Sequence, residues 1–115
     1  MQVPQRPNAP PRVSEITARE AWARMGDPDH PAALLDVREP WEYVQGHAER
    51  AVSIPLGELQ GRVSEVPRDR VVLLICHVGQ RSLVAAKFLQ RQGITQVANV
   101  LGGTDAWERA GLPMV

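Results

Sequence analysis

The chain has 115 residues and a mass of 12.7 kDa, the size of one domain. Lys plus Arg number 13 and Asp plus Glu number 13, so the formal charge is zero with His neutral; the positive excess on which nucleic-acid and anionic-membrane binding rests is absent. Hydrophobic residues at 43% and charged residues at 23% exclude wholesale disorder. Cys76 is the single cysteine, which rules out an internal disulfide and a Cys-based zinc cage and fits a reducing, cytoplasmic setting. Every basic residue except Lys87 is Arg, a bias that suits anion contacts.

Residues 1–12 contain Pro4, Pro7, Pro10 and Pro11 without an apolar run, and read as a proline-rich flexible arm, not a leader. Thr17-Ala18-Arg19-Glu20 has the form of a capping box and opens a first helix to Met25. Gly26, Asp27, Pro28 and Pro31 mark a loop. Residues 33–37 (Ala-Leu-Leu-Asp-Val) form a strand apolar on both faces, as interior parallel strands are. Glu39 and Pro40 start a short helix to Tyr43, and Gly46 ends it. A weaker strand at 51–54 and a helix at 56–65 follow, the latter carrying the unfavourable Gly61.

The second half alternates more clearly. Residues 71–75 are a strand, 76–81 a loop, and 82–92 a helix closed by Gly93. A strand at 97–101, a Gly102-Gly103 turn and a short helix at 104–110 complete the chain. No run is long enough to span a membrane; the most apolar, 71–76, has the length of a buried strand. Alternating strands and helices predict an α/β domain over 13–115, with a mainly parallel central sheet flanked by helices on both faces.

Cys76 falls where an apolar strand ends and a helix is about to begin, the edge at which open α/β sheets place ligands. The loop Cys76-His77-Val78-Gly79-Gln80-Arg81-Ser82, wrapped round the sulfur, aims backbone amides and a helix N-terminus at it, and Arg81 adds a full charge. These favour the thiolate, which is the nucleophile. The plain alternative is an inert buried thiol. Neither His47 nor His77 has the neighbours that a metal site requires.

Cys76-x-x-Gly79-x-Arg81-Ser82 resembles the active-site loop of the rhodanese-like sulfurtransferases. Leu35-Asp36-Val37-Arg38-Glu39, Glu42-Tyr43 and Gly46-His47 resemble that family's first signature. Asn99-Val100-Leu101-Gly102-Gly103, Ala106-Trp107 and Gly111-Leu112-Pro113 resemble its closing one. The resemblance implies a stand-alone rhodanese-like domain in which Cys76 carries a sulfane sulfur as a persulfide. It further implies a small-molecule donor, thiosulfate or a persulfide, and a thiol or thioredoxin-like acceptor. It implies no cofactor, and neither nucleic acid nor a membrane as a partner in the reaction. By the same resemblance residues 77–82 (His77, Val78, Gly79, Gln80, Arg81, Ser82) bind the sulfur, while Asp36, Arg38, His47 and Trp107 support the site. The alternative is a non-catalytic binding or sulfur-carrier module on the same fold. Four residues separate Cys76 from Arg81, one fewer than in phosphatases with a related loop, which places phosphatase and arsenate-reductase chemistry behind sulfur transfer.

Overall fold

A computed structural model of the protein describes residues 12–115. The arm expected over 1–12 therefore lies, but for Arg12, outside the described residues. Five parallel strands form one sheet in the order β1-β5-β4-β2-β3. They are β1 (Ser14–Ile16), β2 (Ala32–Asp36), β3 (Val52–Ser53), β4 (Val71–Ile75) and β5 (Val97–Val100). The helices are α1 (Ala18–Met25), α2 (Pro40–Gln45), α3 (Leu56–Leu59), α4 (Gln80–Arg91) and α5 (Gly103–Arg109), with a 3₁₀ segment at Gln60–Glu65 after α3.

The most apolar segment of the chain becomes the central strand. β4 lies between β2 and β5, and Val72, Leu73, Leu74 and Ile75 are all buried. Because successive side chains of a strand point to opposite faces, Val72 and Leu74 enter one core and Leu73 and Ile75 the other. Cys76 continues the Val72–Leu74 face. The first core packs Leu59, Ala85, Ala86 and Leu89 of α3 and α4 on the sheet. The second packs Ala18 and Ala21 of α1 and Trp107 of α5 on the opposite side, so helices cover both faces as the sequence predicts. Trp107 is fully buried, meets Trp22 edge-on at 5.9 Å between ring centres, and donates its indole N–H to the Pro113 carbonyl at 2.8 Å.

Local signals hold where they are local. Thr17 caps α1 through a complete capping box with Glu20, at 3.1 and 3.3 Å. The expected helix at 56–65 does not run through: α3 gives way to the 3₁₀ segment, and Arg62 is non-helical at φ −124°, ψ 19°. Its guanidinium bonds Glu58 and Glu65. β1 has no counterpart among the sequence expectations. It is an edge strand with one apolar side chain, and it exists through pairing with β5, Ser14 opposite Ala98 and Ile16 opposite Val100. The helix expected from Ser82 begins at Gln80, because Gly79 adopts the left-handed conformation (φ +103°) and serves as its N-cap.

Candidate active site

The site forms where β4 runs out at the C-terminal edge of the sheet. Its backbone is clamped before any side chain is considered. The first amides of α5 reach across to the loop, Thr104 N–H donating to the Cys76 carbonyl at 2.7 Å and Asp105 N–H to the His77 carbonyl at 3.1 Å. Gly103 permits this approach. A Cβ there would collide with the carbonyl oxygens of Cys76 and His77, and its φ of +59° suits glycine.

The Cys76 residue is 1% exposed. Its Sγ accepts the Gly79 N–H at 3.1 Å and lies 3.3 Å from the Ser82 hydroxyl. Burial by itself pushes the thiol up. The Ser82 hydroxyl and the N–H groups of Ser82, Gly79 and Val78 outweigh it, and the thiol is held below its ordinary value. The loop thus wraps round the sulfur, and its hydrogen bonds together offset the opposing effect of burial.

Arg81 is placed differently from expectation. Its guanidinium meets Glu42 of α2 in a two-point ion pair, at 2.6 and 2.9 Å, across 39 positions of sequence. That carboxylate is its main partner, and the attraction between its charge and the Cys76 sulfur is the weaker one. The pair ties the first turn of α4 to α2 and closes one side of the loop. Arg81 first of all, against the effect of burial, holds the Glu42 carboxyl down to about 2. The sequence reading placed Glu42 only within a family signature; no local pattern announces a partner so distant.

The other expected residues separate into near and remote. Asp36 and Arg38 are buried at the end of β2, and the guanidinium grips the carboxylate at 2.8 to 3.1 Å while donating to the Gly46 carbonyl at 2.8 Å. They brace the turn between β2 and α2. His47 stacks on Tyr43 at 3.7 Å and makes a 2.8 Å hydrogen bond to the Tyr43 carbonyl. Trp107 belongs to the second core. His77, Val78 and Gln80 are exposed on the outside of the loop, and His77 edges a cleft of about 420 Å³ between α2 and α5. Asn99 on β5, placed by the sequence only within the closing signature, lies beneath the loop. It is 4% exposed and bonded to both Ser82 and Gly79. The signal for it is a polar residue inside the apolar run of β5, since a buried amide must find partners.

With this geometry in place, comparison with known proteins settles the family: the family model of the rhodanese-like domain matches residues 17–110. The chain belongs to the rhodanese-like domain family. A sulfurtransferase of Allochromatium vinosum is 39% identical over 103 residues, 90% of this chain and 95% of that protein. A thiosulfate sulfurtransferase of Actinobacillus pleuropneumoniae is 36% identical, over 88% of this chain and 92% of its own. Among solved structures, a rhodanese-related protein from Thermoplasma volcanium superimposes with a TM-score of 0.80 at 31% identity, covering 90% of this chain and 98% of that one. The parallel sheet with helices on both faces is thus the rhodanese fold. No helix among the described residues is long and apolar enough to cross a membrane.

Proposed function

We propose that this rhodanese-like protein moves a sulfane sulfur from a donor such as thiosulfate to a thiophilic acceptor through a persulfide on Cys76. What carries the proposal is the setting of the only thiol in the chain: a buried Sγ at the centre of a loop whose N–H groups converge on it, with the Ser82 hydroxyl alongside. Such a ring of donors suits an anionic sulfur and then a second sulfur attached to it. The relatives named as sulfurtransferases support the reaction class.

In the first half-reaction the Cys76 thiolate attacks the outer sulfur of thiosulfate. A new S–S bond forms, the old one breaks, and sulfite departs with the bonding pair. In the second, a nucleophile, cyanide in the test tube or a cellular thiolate, attacks the outer sulfur of the persulfide. Thiocyanate or a new persulfide leaves, and the Cys76 thiolate is restored. This is double displacement through a covalent intermediate. Arg81, held by Glu42, keeps the first turn of α4 in place round the sulfur. A reducing, cytoplasmic setting would keep the lone thiol available, with a small thiol or thioredoxin-like protein as acceptor.

Mass measurement of the intact protein tests the proposal. Incubation with thiosulfate adds the mass of one sulfur atom, and cyanide removes it. A mass unchanged by thiosulfate and by a small persulfide donor alike refutes it.

A further inference from the structure

Asn99 sits opposite Leu74 in the β5–β4 pairing, two residues short of Cys76, and is buried under the loop. Both ends of its amide are occupied. Nδ2–H donates to the Gly79 carbonyl at 3.0 Å, and Oδ1 accepts the Ser82 hydroxyl at 2.5 Å. The orientation follows from the partners: the Gly79 carbonyl has to meet an N–H, so Oδ1 faces Ser82. That hydroxyl also lies 3.3 Å from Sγ, and its one proton serves Oδ1 or the sulfur at a given moment, not both.

The bond to Gly79 has a directional consequence. In a trans peptide the C=O and the following N–H point in opposite directions. A Gly79 carbonyl drawn down toward β5 therefore turns the Gln80 N–H the other way, to the open side of the loop. Gln80 opens α4, so this amide has no partner within the helix and carries the positive end of its dipole. Gly79, at φ +103°, is also the link whose own conformation constrains that peptide plane least. Some group outside the loop has to fix it, and Asn99 is in place to do so; a Cβ on Gly79 would itself lie 3.8 Å from Nδ2.

We propose, resting on the sulfurtransferase reading above, that Asn99 is a positioning residue for the outer sulfur of the persulfide: by holding the Gly79 carbonyl it keeps the Gln80 N–H aimed at that sulfur. Its main effect falls on the persulfide. The bare thiolate retains the Gly79 N–H, which does not depend on the Gly79–Gln80 peptide plane.

The test compares wild type, Asn99→Leu and Asn99→Asp in the full chain. Thermal unfolding reports the fold, the iodoacetamide rate against pH reports the inner sulfur, and sulfite release on mixing with excess thiosulfate reports loading of the outer one. Asn99→Leu keeps an alkylation midpoint at or below wild type, because the Ser82 proton released by Oδ1 is free for Sγ, but loads sulfur about ten- to a hundred-fold more slowly, the effect of one lost hydrogen bond to a charged group. Asn99→Asp loads more slowly still, because its carboxylate opposes both the Gly79 carbonyl and an anionic sulfur, and its alkylation midpoint rises. Asn99→Ala carries the same expectation as the leucine variant should that one unfold. Wild-type loading in a folded Asn99→Leu or Asn99→Ala protein overturns this role while leaving the sulfurtransferase reading intact. Equal losses in alkylation and loading overturn it too, as they mark a merely structural residue. A wild type that takes up no sulfur overturns the sulfurtransferase reading and this role with it.

Discussion

Removing the charge of Glu42 isolates the contact that closes the loop. Glu42→Gln keeps an oxygen for the Glu39 N–H, which Glu42 accepts at 3.0 Å, but deletes the ion pair with Arg81. The Glu42 carboxyl is held at about 2, against an ordinary 4.5, by the Arg81 hydrogen bonds first of all and against the opposing effect of burial. Taken at face value that difference is about 3 kcal/mol. The Arg81 side chain is 37% exposed, so solvent screening reduces the stabilisation to about 1–2 kcal/mol. For a chain of this size the loss lowers Tm by roughly 4–8 °C at pH 7. The sign with pH follows from the direction of the shift. A carboxyl whose folded value is depressed stabilises the fold fully above its unfolded value of 4.5, and that contribution disappears as pH falls toward 2. More than half of it is gone by about pH 3. Thermal unfolding followed by circular dichroism, for wild type and Glu42→Gln at pH 7 and pH 3, gives the measurement: the gap in Tm is clear at pH 7 and shrinks by more than half at pH 3. An equal gap at both values, or none at pH 7, would refute the assigned strength of the Glu42–Arg81 pair.

Three further outcomes are expected. Cys76→Ser folds as wild type and produces no thiocyanate from thiosulfate and cyanide, since a hydroxyl cannot carry a persulfide; a folded serine variant with substantial turnover in that assay would displace Cys76 as nucleophile. Alkylation of Cys76 by iodoacetamide has its pH midpoint below that of a free thiol, and Ser82→Ala, which removes the leading hydrogen bond, moves the midpoint up; a midpoint unmoved in that variant takes Ser82 out of the account. Gly103→Ala is destabilised by about 2–4 kcal/mol in urea denaturation, because its methyl meets the Cys76 and His77 carbonyls and its φ is positive; a loss below about 1 kcal/mol shows that the β5–α5 turn can move off the loop at little cost.

Features that depend on neighbours along the chain are legible before any fold is known. The capping box of Thr17 and Glu20 sets the start of α1, because both hydrogen bonds close within one turn. The unbroken apolar run at 71–75 marks a strand buried on both faces, and it proves to be the centre of the sheet. The position of Cys76 at the end of that run, with Gly79, Arg81 and Ser82 at fixed intervals after it, was enough to identify the loop and, with the two flanking signatures, the family.

Other features arise from contacts that exist only once the chain is folded. β1 is a strand because β5 offers it an edge, not because Ser14 and Glu15 favour extended backbone. The charge of Arg81 goes first of all to Glu42, which stands 39 positions away on a different helix. Asn99 lies 17 positions beyond Ser82 and comes beneath it through the parallel pairing of β4 and β5. A parallel sheet joins its strands through long crossovers, so groups that meet at its edge are far apart in sequence, and no periodicity or local spacing encodes the meeting. The nucleophile can be read from the chain; the side chains that hold its surroundings in place become visible only when the crossovers have brought them to one edge.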